Sequence, residues 1–191
     1  MPIPGRKRRV LASLGLLGFA ILFIGVCAAP LSLPFLERHR MEIKMLRARV
    51  LGATFLGDQD VILQAHGNDC GAASLEMILA AHGIRRSLAD LSQQLRLTAN
   101  GTSLLNLRQV STELGLPGRS WSIGPSDLNR VPLPAIAFVG GDHFVVIERL
   151  AGPDVLVVDD PALGRLRWPV REFRKAWSGE TLVFDPAWTP L

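Results

Sequence analysis

Two kinds of segment follow one another along this chain, and their order restricts the fold more than any other feature. The first kind is helical. After Cys70, the residues Leu75, Ile78 and Leu79 recur on one helix face, and Gly83 supplies a C-terminal stop. Ser87 is placed to cap "LADLSQQLRL", and Thr102 or Ser103 opens "LLNLRQVSTELG", which ends at Gly115. The second kind is extended. Short β-branched runs at 135–139 (AIAFV), 143–150 (HFVVIERL), 155–160 (VLVVDD), 166–170 (LRWPV) and 181–184 (TLVF) are separated by Gly, Pro and Asp turns. Helices first and strands second predict an α+β domain with an antiparallel sheet.

Upstream lies a different environment. "RKRR" at 6–9 precedes twenty uncharged residues, 10–29, enough as a helix to cross about 30 Å of hydrocarbon. The run is longer than the usual core of a cleaved signal peptide, so an uncleaved transmembrane anchor is expected, with a signal segment cut after Ala28 or Ala29 as the alternative. Cys27 reads as a small residue of that helix rather than a lipid attachment point. The chain thus divides into a basic N-terminus (1–9), an anchor or signal segment (10–29), a connector (30–58) and one globular domain (59–191). Within the connector, "PLSLP" breaks the membrane helix. Residues 36–50 read as a charged amphipathic helix serving as a solvated or membrane-surface spacer. The four N-terminal basic residues favour a translocated domain, against the pull of Arg38, Arg40 and Lys44. The expected location is the bacterial inner membrane, single-pass, with the domain outside the cytoplasm.

The basic pI of about 9.8 does not signal nucleic acid. Residues 1–58 carry nine Lys/Arg against three Asp/Glu, whereas residues 59–191 carry twelve against fourteen. No basic stripe with interleaved aromatics remains in the domain, which excludes a nucleic-acid groove. Cysteines are too few and histidines too scattered for a metal cluster, and no cofactor is expected.

The chemistry concentrates around "ILQAHGNDCGAASLEMILAAHG" (62–83), which puts Cys70 at the start of a helix. A thiolate is the nucleophilic form, and a helix N-terminus lowers the thiol pKa from about 8.5 by favouring negative charge. Gly71 beside it is expected to let a substrate backbone approach closely. Of the four histidines, His39 lies in the connector, His82 at a helix end where a structural role is the default, and His66 in a plain loop. His143, after two glycines in "GGDHF", is expected at the mouth of a strand, in a position to face a cleft. If 143–150 and 155–160 form a hairpin over an even-length "AGPD" loop, Leu150 faces Val155 and Val145 faces Asp160. Asp160 then shares a face with His143, and Asp159 points away. A one-residue bulge would reverse this. On that register Asp160 orients the imidazole as the third member of a triad, while also starting a turn with Pro161. Gln64, with five residues between it and Cys70, is the natural side-chain donor to an oxyanion, beside the Cys70 backbone N–H.

These residues resemble the bacteriocin-processing cysteine peptidases, the double-glycine leader peptidases that often precede ABC exporters. "LQAHGNDCGAASLEMIL" is similar to that family's Gln-then-Asp-Cys-Gly-Ala-Ala segment, and "NGTSLLNLRQVSTELGL" to its middle helix. "PLPAIAFVGGDHFVVIERL", "VLVVDDPALG" and "WSGETLVF" are similar to its His strand, Asp-Pro-x-x-Gly turn and closing segment. The resemblance covers about 59–185. It implies a papain-like fold, with Gln64 at the oxyanion, Cys70 as nucleophile, His143 as base and Asp160 as orienting acid.

The expectation is a membrane-anchored cysteine endopeptidase that cuts a peptide or protein substrate after a Gly-Gly type site. It is expected to stand alone, with a separate exporter as partner. Two rivals of different class are a peptide-binding module with a silent triad and a thiol amidase or acyltransferase on the same fold.

Overall fold

The computed structural model describes residues 39–190. The segments 1–9 and 10–29, and with them the expected anchor and Cys27, lie outside the described residues. Among the described residues no helix is long and apolar enough to cross a membrane.

The chain divides into residues up to Ile43 and a compact unit that runs from Lys44 to Leu191. Helix α1 covers residues 39–50. Within the larger unit, its residues 44–50 turn Lys44 and Ala48, one helical turn apart, inward; Ala48 is fully buried. Gly52 ends the helix in a left-handed conformation (φ 73°). The Ala53 N–H reaches the Ala48 carbonyl at 2.8 Å and the Gly52 N–H the Arg49 carbonyl at 2.9 Å, the paired bonds of a Schellman stop. Strand β1 (Thr54–Gly57) follows at once and pairs with a strand of the domain. The boundary expected at residue 59 therefore falls earlier. Residues 44–58 are no spacer, because they carry an edge strand and a core alanine.

The helices expected from apolar spacing and caps form as α2 (Cys70–Ala81), α3 (Leu88–Gln94) and α4 (Leu104–Glu113). The Ser87 and Ser103 side chains accept the N–H groups of Asp90 and Asn106, three residues on in each case. Ser103, not Thr102, is thus the cap of α4.

Seven strands among the described residues form one antiparallel sheet, in the order β1-β6-β5-β4-β3-β7-β2. They are β1, β2 (Arg119–Ser122), β3 (Ala135–Val139), β4 (His143–Leu150), β5 (Val155–Asp160), β6 (Gly164–Pro169) and β7 (Trp177–Val183). Strands β3, β4 and β5 begin and end where their β-branched runs do. Their apolar stretches hardly alternate because both faces of the sheet are covered. On one face Phe144, Val146, Ile136 and Leu182 pack with Leu75, Ile78 and Leu79 of α2. On the other, Val145, Ile147, Val158 and Leu166 join Trp168 and Phe173. Helix α5 (Val170–Ala176) interrupts the expected run of strands. It packs Phe173 edge-on to Trp168, with ring centroids 5.2 Å apart.

Candidate functional site

Helix α2 begins at Cys70 itself and lies on strand β4. Ser74, one turn after Cys70, donates its hydroxyl to the Phe144 carbonyl at 3.3 Å in a buried contact. That bond ties the first turn of α2 to the residue next to His143. Cys70 is buried and is not in a disulfide. Its thiol interacts with the His143 imidazole and with the backbone at Phe144 and Gly71, and each of these favours its charged form.

The imidazole is held from its other side. His143 Nε2 lies 2.9 Å from Asp160 Oδ1, which leaves Nδ1 for the sulfur. The same carboxylate oxygen accepts the N–H of Ala162 at 2.7 Å and of Leu163 at 3.3 Å. Asp160 is thus both the imidazole's partner and the starter of the Asp-Pro turn. Asp159 points to the opposite face, where Arg165 grips it with two bonds, Nε at 2.8 Å and Nη2 at 3.1 Å.

The register that brings His143 and Asp160 together arises differently from the expected hairpin. Leu150 pairs with Leu156 rather than Val155, so the loop is one residue longer than an even hairpin allows. A bulge between Ile147 and Arg149 then takes up the slip, and from Ile147 onward the pairing is Ile147 with Val158 and Val146 with Asp159. Two departures cancel, and Asp160 keeps the face of His143.

The charges at the site reinforce one another. Burial pushes the Cys70 thiol up, but the His143 hydrogen bond and charge, with the backbone bonds at Phe144 and Gly71, bring it below its ordinary value. For His143, burial opposes the charged form, yet the hydrogen bonds to Asp160 and Cys70 and the charges of both raise its pKa to about 10. The pair favours thiolate and imidazolium together, the state of an activated cysteine nucleophile.

Gln64 lies in the loop ahead of α2, with its backbone N–H on the Pro161 carbonyl at 2.9 Å. Its Nε2 donates to the His66 carbonyl at 2.8 Å, which occupies one of its two amide hydrogens. The His66 ring is exposed beside Asp69. His82 closes α2 with Nδ1 on the Ile78 carbonyl at 2.9 Å, the structural role expected of it. His39 pairs with Glu42. Among the described residues no three His, Cys, Asp or Glu side chains converge on a point that would hold a metal ion.

Asp69 has no role in the sequence reading but a clear one here. Although it is the N-cap residue of α2, its side chain makes no capping bond. Buried at 2% exposure, it accepts the backbone N–H groups of Ala65 and His66 at 3.1–3.2 Å. It therefore orders the loop that carries Gln64. An acid directly before a helix was the available signal, and its meaning as a loop clamp depends on tertiary contacts.

Gly71 corrects an expectation. A Cβ there would meet Thr102 Cγ2 at 2.5 Å and Phe144 Cδ2 at 3.3 Å, so the close approach glycine permits is by Thr102, just ahead of the Ser103 cap of α4, and by β4. Gly71→Ala is expected to destabilise the fold by about 1–3 kcal/mol through overpacking. Adding Thr102→Ser removes the offending methyl but keeps the hydroxyl that accepts from Asn106. Urea denaturation should show the double variant recovering more than half of the loss; equal stability of both variants would disprove the clash.

Residues 58–189 match the peptidase C39 family. Among solved structures, a double glycine motif protease from an AMS/PCAT transporter, crystallised with its leader peptide, is 30% identical. It covers 66% of this chain and 91% of its own, with a TM-score of 0.63. The peptidase domain of Streptococcus ComA, a bifunctional ABC transporter, is 25% identical, covering 65% and 96%, with a TM-score of 0.60. The probable functional amyloid protease FapD of Pseudomonas aeruginosa is 33% identical over 132 residues, covering 63% of this chain and 58% of FapD. The lactococcin-G-processing and transport ATP-binding protein LagD of Lactococcus lactis is 29% identical, covering 66% of this chain and 19% of LagD. The chain spans less than two thirds of the length of these last two relatives. Matched from residue 58 to 189 and sharing the papain-like fold of those solved domains, the chain belongs to the peptidase C39 family and is a cysteine peptidase.

Proposed function

We propose that the chain is an endopeptidase that cuts after a double-glycine site by a Cys70–His143–Asp160 triad. The observation that carries this reading is the His143 imidazole, which hydrogen-bonds the Asp160 carboxylate at 2.9 Å and is electrostatically paired with the Cys70 thiol. The Cys70 thiolate attacks the scissile carbonyl and forms a C–S bond. The charge moves to the carbonyl oxygen, where the Cys70 N–H and the second Nε2 hydrogen of Gln64 are the donors. Collapse of that intermediate breaks the C–N bond as imidazolium Nδ1 gives its proton to the leaving amine. Neutral His143 then takes a proton from water, which attacks the thioester and frees the thiolate. Throughout, Asp160 fixes the ring orientation and stabilises its positive form.

The double-glycine preference rests on the similarity to the double glycine motif protease. Membrane attachment through residues 10–29, with the peptidase outside the cytoplasm, rests on the hydropathy and charge pattern of the N-terminus, and an exporter as partner rests on the similarity to processing and transport ATP-binding proteins. The test is mass spectrometry of a library of double-glycine leader peptides incubated with the full chain. New termini directly after Gly-Gly support the reading. An intact library in the presence of a folded, thiol-reactive enzyme would overturn it.

A further inference from the structure

A cleft of about 480 Å³ opens beside His143 and Asp160. Leu163 of the sheet side lines it, but so do Leu46, Val50 and Leu51, which precede the family-matched residues 58–189. Helical spacing explains how these side chains come to be there. Lys44 and Ala48 turn inward, so Leu46 and Val50, also one turn apart, are presented outward at 63% and 81% exposure. With Leu51 and Leu163 they form a contiguous apolar wall beside His143.

The wall is also fixed in place. The Leu51 carbonyl accepts the indole N–H of the buried Trp168 at 3.1 Å. Lys44 Nζ lies 2.7 Å from Asp58 Oδ2. With the Schellman stop at Gly52, these contacts hold the last turns of α1 from both ends.

We propose that α1 is a specificity wall of the peptidase. An apolar substrate side chain, within a few residues of the scissile bond, seats against Leu46 and Val50. This rests on the peptidase reading above. The occupant is the substrate because the same cleft is lined by His143, the imidazole paired with the Cys70 thiol, and by its partner Asp160. The lining charges balance, Arg47 against Asp142 and the His143 imidazolium against Asp160, so shape and apolarity select the side chain rather than charge.

The test uses the full chain and double-glycine peptides in which each residue within four of the cleavage site is in turn Leu, Ser or Lys. At one position the wild type should prefer Leu by about tenfold or more. Val50→Glu should lower kcat/KM on that Leu peptide by about tenfold through KM, and raise it on the matching Lys peptide. Alkylation of Cys70 by iodoacetamide should stay within twofold, showing that fold and thiol survive. Unchanged selectivity in Val50→Glu overturns the proposal. So does unchanged selectivity with weakened binding to anionic lipid vesicles, which would make this face a membrane contact. If the wild type is alkylated but cuts no peptide, the peptidase reading fails separately. Fluorescence anisotropy of the same peptides on Cys70→Ala, with and without Val50→Glu, then decides: tenfold weaker binding upholds the wall and equal binding removes it.

Discussion

Cys70→Ala is expected to leave a folded protein that no longer cleaves a double-glycine peptide, with kcat reduced by about 10⁴-fold or more. The size follows from what is removed: the sulfur is the atom that bonds to the carbonyl, and nothing nearby replaces it. The fold should survive, because the residue is small and its first-turn position is secured by Ser74 on the Phe144 carbonyl. Cys70→Ser is a sharper variant. It keeps size and polarity, but a serine hydroxyl gains far less than a thiol from the helix end and the imidazolium. Both variants should still bind the peptide, measured by anisotropy, while mass spectrometry finds it uncut. A binding module would cut nothing even as the wild type and would tolerate either change; retained cleavage in Cys70→Ser would remove the triad reading.

Asp160→Asn should have the next largest effect, and it shows in the pH profile as well as in the rate. The reactive state needs Cys70 deprotonated and His143 protonated. In the wild type, kcat/KM should rise through the lowered Cys70 value, below the ordinary 9.0. It should fall again near the His143 value of about 10. The two limbs belong to the coupled pair rather than to either residue alone. Asparagine keeps an oxygen for the imidazole and for the Ala162 and Leu163 N–H groups, so the turn persists, but the charge is gone. His143 then loses its strongest support for the protonated form, and the alkaline limb moves to lower pH. A weaker imidazolium lowers the Cys70 pKa less, and the acid limb moves to higher pH. The window narrows from both sides, with kcat/KM at pH 7 down by about 10²-fold or more. An alkaline limb that stays near 10 in the variant would show that Asp160 does not hold the charge on His143.

The helices α2, α3 and α4 were legible because local rules decide them: apolar spacing, a serine cap and a glycine stop act within a few residues. Strands β3, β4 and β5 were legible for a similar reason, since β-branched runs bounded by turn residues leave the backbone little choice. The elements that were missed depend on distant partners. Residues 44–58 look like a charged spacer, although Gly52 after a helical run was a usable stop signal. Their place in the domain depends on Trp168 and on pairing with β6. Strand β2 is four residues of mixed polarity that acquires its extended form from β7. Helix α5 forms after Pro169 because Phe173 has Trp168 and Trp177 to pack against.

The site divides along the same line. By itself, the sequence determined which groups could do the chemistry: a cysteine opening a helix, a histidine opening a strand, and an Asp-Pro turn on the next strand. Residue type and local position were enough for that. Only the tertiary structure decided that these groups meet. The face of Asp160 depends on a loop length and a bulge that offset each other, and side-chain alternation along a strand transmits any single slip to every residue beyond it. It also decided that Gly71 serves packing, that Asp69 holds the loop of Gln64, and that α1 walls the cleft. Each of those roles is a contact between residues far apart in the chain, and such contacts exist only once the sheet has brought them together.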